Sequence, residues 1–336
     1  MPESRGRRYT RWYLVCFAAL AGCILLSLCL GSKLLSPAEL WDVALGSASS
    51  GDQRIVWVLR LERTVTGIVV GAALGASGAI MQSVIRNPIA DPGILGINAG
   101  AALGVACGIM LTGSAGMLAS VGFGLVGAAC VAAFLLLCAM LPVFRGSAVR
   151  LTLCGVALSA LLAGITQLLM FSDEKLMDQF RFWQVGSLAA RPMESVLWVA
   201  PLISLGLVLA WAVGGALNML DLGDDSSQAL GAGVLRTRIV ALLAVALLCG
   251  PATALAGPIA FVGFAVPHLV RMVIGNDTKQ VIRFSALAAP SMLLLCDIAG
   301  RLAGSGAEIQ AGVVTSLFGA LALVILVLRS SSRKLS

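Results

Sequence analysis

The chain consists of long apolar runs that alternate with short polar segments. Ten runs are candidate membrane spans, at residues 12–32, 64–84, 93–111, 117–140, 148–170, 195–216, 237–256, 258–274, 282–302 and 311–329. A helix of about 20 residues crosses a bilayer core of roughly 30 Å. The pattern therefore predicts an all-α polytopic membrane protein with about ten transmembrane helices. The eighth run is the least regular, because Pro258 and Pro267 interrupt it.

A short polar turn that contains two prolines joins the second and third runs. Its polar and proline positions are Arg86, Asn87, Pro88, Asp91 and Pro92. Proline disfavours helix at the residue before it, so the second helix is predicted to end by Asn87 and the third to begin after Asp91. The turn therefore separates two spans instead of kinking one.

Glycine recurs every four residues in the two runs that flank this turn. The positions are Gly67, Gly71 and Gly75 in the second run, and Gly96, Gly100, Gly104 and Gly108 in the third. Glycine is common in membrane helices, so a single position carries little information. Two such series predict flat helix faces at which neighbouring backbones approach closely.

The composition excludes an ordinary soluble domain. Hydrophobic residues make up 59% of the chain and charged residues 12%, whereas a soluble domain has about 25% charged residues. The net charge of +7 is spread over short loops, which indicates membrane topology and no nucleic-acid partner. The nine cysteines lie in apolar runs without the spacing of a metal site, so we expect no bound metal.

The sequence offers no set of residues for catalysis. It lacks a GxxxxGK[ST] string, so this chain cannot supply ATP hydrolysis of the P-loop kind. One histidine and scattered charges do not form an acid, base or metal constellation, which argues against an intramembrane enzyme. An ion-coupled secondary transporter is the alternative, although Asp297 is the one carboxylate well inside an apolar run.

The basic residues predict how the chain is oriented in the membrane. More of them fall in the segments that share a side with both termini than in the segments on the opposite side. Cytoplasmic loops carry the excess of Lys and Arg. Both termini are therefore predicted to be cytoplasmic, with short tails at about 1–11 and 330–336.

Two stretches resemble the signatures of a known family. GAALGASGAIMQSVIRNPIADPGILGINAGAALG is similar to the signature of FecCD or BtuC-type permease subunits, which belong to ABC importers for iron-siderophore complexes, haem and cobalamin. GPIAFVGFAVPHLVR resembles the second signature of that family, and the resemblance covers nearly the whole chain after residue 55. The two signatures lie five predicted spans apart and so run in opposite directions, which suggests an inverted internal repeat.

The resemblance also implies an architecture and a set of partners. It implies one BtuC-like transmembrane permease domain over residues 1–336, in the bacterial cytoplasmic membrane. Two copies of this chain, or this chain and a closely related permease, would form the pathway. Two ATPase subunits would hold ATP and Mg²⁺, so no cofactor is expected on this chain. An extracytoplasmic binding protein would deliver a metal-chelate cargo, namely a ferric siderophore, haem or a corrinoid.

The resemblance assigns two regions to the ends of the transport pathway. Arg60 and Arg63 match arginines that help to receive acidic residues of the binding protein. Their spacing places both on nearly one helix face, where snorkelling interface arginines are an equally good interpretation from the residues alone. Ser147, Ala148 and Val149 lie in a turn that helps to form the inner gate in the family, and an ordinary tight turn is the alternative.

The polar segment at residues 219–233, MLDLGDDSSQALGAG, resembles the family's coupling segment, which sits in a groove of the ATPase. The matching residues assigned to coupling are Leu222, Gly223, Asp224, Asp225, Leu230 and Gly231. Gly223 can end one short helix, and Asp224 or Ser226 can cap the next, but a flexible acidic loop explains the same pattern. We predict ATPase coupling here.

The remaining polar positions in the second half carry structural predictions. Pro267, His268 and Arg271 belong to the second signature, and a structural hydrogen bond from His268 is favoured over proton relay or metal ligation. Asp297 and Arg301 lie four residues apart, so an ion pair is favoured over a transport role. Residues 171–194 mix both signs of charge, which predicts a solvated external loop with Trp183 at the lipid interface.

Overall fold

The computed structural model describes residues 5–31, 33–113, 116–144, 148–221, 223, 227, 233–303 and 308–332. The α-helices are α1 (Arg5–Cys29), α2 (Pro37–Ala44), α3 (Ser50–Arg54), α4 (Leu61–Ile85), α5 (Ile97–Thr112), α6 (Met117–Met140), α7 (Ala148–Ser172), α8 (Glu174–Gln184), α9 (Met193–Leu220), α10 (Val234–Ala256), α11 (Val262–Ile274), α12 (Thr278–Ala303) and α13 (Ala311–Ser332). A π-helix, Ile55–Arg60, joins α3 to α4, and a 3₁₀ turn, Pro92–Leu95, precedes α5. No strand occurs within these ranges.

The predicted all-α polytopic fold is confirmed. Within the described part of the chain, seven helical stretches are long and apolar enough to cross a membrane: α1, the continuous stretch Ser50–Ile85, α6, α7, α9, α10 and α12. The other three predicted spans correspond to shorter apolar helices, namely α5, α11 and the Ala311–Leu321 part of α13. The eighth span is shorter than predicted, because residues 257–261 are not helical and α11 begins only at Val262.

The segment before α9, which was predicted to be a solvated external loop, differs from the prediction. Residues 174–184 form α8, which Asp173 caps by accepting a hydrogen bond from Lys175 N at 2.8 Å. Leu176, Phe180 and Trp183 are buried, and they recur at intervals of three and four residues along one face of the helix. The prediction of a solvated loop with Trp183 at the lipid interface was therefore wrong. The charged residues of both signs between these apolar positions made the amphipathic pattern hard to see in the sequence.

The glycine series in α4 forms the contact that holds the centre of the bundle. A Cβ atom at Gly71 would lie 2.6 Å from Pro290 Cα, and one at Gly75 would lie 2.4 Å from the carbonyl oxygen of Ser285, both in α12. A Cβ at Gly78 would lie 1.8 Å from the carbonyl oxygen of Gly263 in α11. The predicted packing face is therefore confirmed, because no side chain fits between these backbones.

The second glycine series packs in the same way against a different helix. A Cβ at Gly100 would lie 2.6 Å from the carbonyl oxygen of Gly127, and one at Gly104 would lie 2.2 Å from that of Phe123, both in α6. Gly96, at the start of this series, has a φ of +85° and ends the 3₁₀ turn. The two series thus join α4 to α11 and α12, and α5 to α6.

The first prediction compares two glycines that lie inside long helices. We expect Gly78→Ala to destabilise the fold by about 1–3 kcal/mol or more, because the new methyl group meets the Gly263 backbone. Gly164→Ala in α7 is the matched control, since a Cβ there has no neighbour within 4 Å. Thermal unfolding of both variants in detergent measures the difference, and equal melting temperatures would contradict the packing role.

Candidate functional site

Polar side chains gather at both ends of α4. We call these the Arg63 end and the Arg86 end, after the residues at the start and just past the finish of the helix. About 25 residues of helix, or roughly 37 Å, separate them. The predicted site residues divide between these two ends.

A buried ion cluster joins α4 to α12 at the Arg63 end. Arg63 Nε donates to both carboxylate oxygens of Asp297 at 2.9 Å, and Arg301 Nε lies 3.2 Å from Asp297 Oδ2. Arg63 Nη1 also donates to Glu308 Oε2. The Asp297 side chain is fully buried, and the positive charges of Arg63 and Arg301 offset its negative charge where water cannot solvate it. The predicted Asp297–Arg301 ion pair is confirmed, and Arg63 makes the closer contact.

Two arginines at this end hold the last turn of α1. Arg60 donates to the carbonyl oxygens of Cys29, at 2.9 Å, and of Leu28 and Lys33. Arg301 donates to Ser27 O and to Ser27 Oγ at 3.0 and 2.9 Å. The last carbonyl groups of a helix lack intrahelical partners and carry partial negative charge, so cations are favourable there. These arginines fix α1 against the bundle.

The structure therefore gives both predicted docking residues partners within the chain. Arg60 is 5% exposed and Arg63 is 8% exposed. Docking of a binding protein at these residues stays a prediction, and the contacts show that they also stabilise the fold. Glu62, which lies between them, accepts a hydrogen bond from Met193 N at 3.1 Å at the start of α9. Sequence reasoning missed this contact, because the partners are 131 residues apart.

A hydrogen-bond network at the Arg86 end joins α4, α9 and α12. Arg86, with a φ of +55°, ends α4 and donates from Nη2 to Leu220 O at 2.6 Å. Thr278 Oγ1 donates to Asp221 Oδ2 at 3.0 Å and lies 2.8 Å from Ser83 Oγ. Burial raises the pKa of the Asp221 carboxyl group, which lies just beyond α9.

The two signature stretches contact each other. Gln82 Nε2 donates to Phe264 O at 3.1 Å, and a Cβ at Gly263 would lie 2.9 Å from Pro92 Cδ. In the polar turn, Asp91 Oδ1 accepts from Gly93 N at 2.8 Å and begins the 3₁₀ turn, as a capping residue does. The two signatures therefore pack against each other where the end of α4 and the turn after it meet the start of α11.

Several other signature residues also have structural roles. Asn87 Oδ1 accepts from Ile89 N at 3.1 Å across Pro88. In α11, Pro267 is buried and the His268 ring lies against Phe264 with centroids 6.3 Å apart. The predicted hydrogen bond from His268 is not formed among the described residues. Arg271 Nε donates weakly to Gln82 Oε1 at 3.4 Å. Within the described ranges, no group of histidine, cysteine and carboxylate side chains has the arrangement of a metal site.

Most of the predicted coupling residues, namely Leu222, Asp224, Asp225, Leu230 and Gly231, lie outside the described residues. Gly223 has a φ of +107°, a conformation that favours glycine. Ser227 Oγ donates to Met219 O at 2.6 Å, so the chain folds back onto the end of α9. The segment therefore starts beside the network at the Arg86 end.

The predicted gate residues begin α7. Ser147 lies outside the described residues, and Ala148 is the first residue of the helix. Val149 is 61% exposed, and Arg150 Nη1 donates to Val143 O at 2.9 Å across the turn. The gating role of these residues stays a prediction.

Comparison with known proteins identifies the family. The sequence model of the FecCD transport family matches residues 19–329. The chain belongs to the FecCD transport family. It is 39% identical over 313 residues to the ferric enterobactin transport system permease protein FepD of Escherichia coli K12, with 91% of each chain covered. It is 35% identical over 316 residues to the hemin transport system permease protein HmuU of Yersinia pestis, with 93% of this chain and 95% of HmuU covered.

Two further relatives have the same fold or belong to the same class of permease. The chain is 36% identical over 332 residues to the vitamin B12 import system permease protein BtuC of Vibrio cholerae serotype O1, with 95% of each chain covered. It is similar to a solved metal-chelate type ABC transporter in an inward-facing conformation, with a TM-score of 0.84, 27% identity, and 94% and 98% of the two chains covered. FecCD members are multi-pass membrane permease subunits of ABC transporters, and a separate subunit carries the ATPase. An ion-coupled secondary transporter is therefore not favoured.

The second prediction concerns the buried ion cluster. We expect Asp297→Asn to destabilise the fold by about 3–5 kcal/mol, because Arg63 and Arg301 lose their shared buried countercharge. Asp178→Asn is the matched control, since Asp178 pairs with Arg181 where both side chains are 66% exposed. Thermal unfolding of the two variants in detergent compares them, and an unchanged melting temperature for Asp297→Asn would argue against the cluster.

Proposed function

We propose that this chain is the permease subunit of an ABC importer that moves a metal chelate across the cytoplasmic membrane, with a ferric siderophore as the preferred cargo. The family match over residues 19–329 carries this proposal. The siderophore class is supported by the 39% identity to the ferric enterobactin permease; a siderophore, a ferric citrate, a haemin and a vitamin B12 permease match at 35–36%.

We infer that the two ends of α4 face different partners. More Lys and Arg residues lie at the Arg86 end than at the Arg63 end. The first group includes Arg7, Arg8, Arg11, Arg86, Arg150, Arg236, Arg238, Arg271, Lys279 and Arg283, and the second consists of Lys33, Arg54, Arg60, Arg63, Lys175, Arg181, Arg191 and Arg301. Arg8 at the start of α1 donates to Val273 O near the end of α11, which brings the amino-terminal cations to the same end. Basic residues favour the cytoplasmic side. The ATPase subunits would then bind at the Arg86 end, and the binding protein at the Arg63 end.

Coupling would act through the network at the Arg86 end. A shift of residues 222–232 would move the end of α9, to which the side chain of Ser227 is bonded. From there, Arg86 connects to α4 and Thr278 connects to α12. The glycine face holds α4 and α12 together, so they would move as one unit with the ATPase. This route uses only hydrogen bonds and packing within the chain.

A second permease copy would complete the pathway. α7 exposes large apolar side chains along its length, including Leu153, Leu161, Leu168 and Phe171. Such a surface suits lipid or another permease copy, because neither requires polar groups. The pairing of two identical chains and the gate at Ser147, Ala148 and Val149 are parts of this proposal.

The third prediction tests the coupling segment by charge reversal. We expect Asp224→Lys with Asp225→Lys to weaken co-purification of the ATPase subunit, because the local charge at the proposed contact is reversed. Glu174→Lys with Asp178→Lys in α8, at the Arg63 end, is the matched control and should leave co-purification unchanged. Equal ATPase recovery from both double variants would remove the coupling assignment.

The fourth prediction tests the energy source and the cargo in proteoliposomes. We expect uptake of a labelled ferric siderophore only when the ATPase, ATP and the binding protein are all present. Labelled haem and cobalamin, each offered with its own binding protein, should enter more slowly. Uptake driven by an ion gradient without the ATPase would contradict an importer. Faster uptake of haem or cobalamin would overturn the cargo class alone.

A further inference from the structure

A small pocket at the Arg63 end has no role in the function proposed above. Its volume is about 230 Å³, and it lies between the ends of α5 and α6, the helix α8, and the loop before α9. The polar side chains that line it are Ser120, Gln179, Trp183, Ser187, Arg191 and Gln310. Apolar side chains from α5 and α6 complete its wall.

Arg191 is a buried cation in this pocket with neutral partners. It is 9% exposed, its Nε donates to Ser187 O at 3.1 Å, and its Nη1 donates to Met117 Sδ at 2.9 Å. A thioether is a weak acceptor, and among the described residues no carboxylate forms an ion pair with Arg191. Burial without a countercharge lowers the pKa of Arg191 to about 10. A buried guanidinium of this kind favours an anion beside it.

Among the described residues, three further buried polar atoms on side chains that line the pocket have no hydrogen-bond partner. Trp183 is 6% exposed, and its Nε1 has no hydrogen-bond acceptor. The side-chain oxygens of Gln179 and Gln310 are also buried without a donor. An indole N–H can only donate, whereas a glutamine amide can present either its oxygen or its nitrogen. Beside Arg191, the pocket wall therefore carries one further donor and two amide groups whose hydrogen-bonding capacity is unused among the described residues.

The backbone that carries Arg191 is constrained. Ala190 has a φ of +53°, which is unfavourable for a residue with a side chain. Ser187 N donates to Ala256 O at 2.8 Å, and Ala189 N donates to Ser187 Oγ at 3.1 Å, which fixes the loop on α10. The loop thus holds the guanidinium inside the fold, away from solvent.

We propose that this pocket binds an oxyanion that also carries hydroxyl groups. Arg191 would donate to the charged oxygens. The side chains of Trp183, Gln179 and Gln310 would rotate toward the bound ion, the indole N–H donating to it and the amides accepting from its hydroxyl groups. Inorganic phosphate, as its monoanion, and the headgroup of phosphatidylglycerol share this chemistry. Charge-assisted hydrogen bonds to a guanidinium are the strongest that this set of residues can make.

The experiment uses the purified permease with its ATPase subunit in a neutral detergent. One arm titrates inorganic phosphate against chloride at constant ionic strength and follows the melting temperature. The other arm counts bound phosphatidylglycerol and phosphatidylcholine by native mass spectrometry. We expect saturable binding of phosphate, or retention of phosphatidylglycerol over phosphatidylcholine. The first result identifies a free ion and the second a lipid headgroup, and both support the site.

Three variants distinguish binding in the pocket from binding to exposed basic side chains. Arg191→Gln should weaken binding roughly tenfold or more, because it removes the charged donor. Trp183→Phe removes the indole N–H but keeps an aromatic ring and leaves the Arg191 cation in place, so it should weaken binding less; it provides a test if Arg191→Gln does not fold. Arg181→Gln is the matched control, since Arg181 lies on α8 with its side chain 66% exposed, and it should bind as the original chain does.

Two outcomes would overturn the proposal. One is the absence of any phosphate effect together with equal retention of the two lipids, which would mean that water alone satisfies the pocket. The other is unchanged binding in both Arg191→Gln and Trp183→Phe, which would place the anion elsewhere on the molecule.

Discussion

Direct contact between helix backbones along one face of α4 is the constraint on which the rest of the structure depends. At Gly71, Gly75 and Gly78 the backbones of α12 and α11 occupy the space that a side chain would need. Apolar burial adds little to helix association within lipid, so close packing and hydrogen bonds must hold the bundle together. With this face fixed, the two ends of α4 are held in a defined relation to α9, α11 and α12. Both polar networks are built on that arrangement.

The two polar networks differ in kind. At the Arg63 end, Asp297 is shared by Arg63 and Arg301, so the join between α4 and α12 depends on charge. For a buried ion pair, removing one partner destabilises the fold by more than the intact pair contributes to its stability. At the Arg86 end, the join depends on hydroxyl, carbonyl and carboxyl groups around Thr278, at the edge of the fold. Hydrogen bonds at the edge of the fold can be exchanged for bonds to water, whereas opening a buried ion cluster leaves a charge without its partner.

Relatives with different cargoes share the architecture of this chain. Permeases for ferric enterobactin, haemin and vitamin B12 match 91–95% of its length at 35–39% identity. The residues that contact each other within the bundle, such as Gly78 with Gly263, belong to the signature stretches, and their role here is packing. The shared packing accounts for one architecture among permeases whose names give different cargoes.

The sequence by itself determined the long apolar helices and the glycine packing faces of α4 and α5, but not the amphipathic helix α8. Apolar length, proline position and glycine spacing act over a few residues, so α4, α5 and the turn between them could be predicted closely. Only the tertiary structure decided the partners of the charged residues. Arg63 and Asp297 are 234 residues apart, and Arg60 and Arg63 are buried although their spacing suited an exposed docking surface. The burial of Trp183 was decided in the same way. A side chain's charge is a local property, but its solvation depends on which distant segment packs against it.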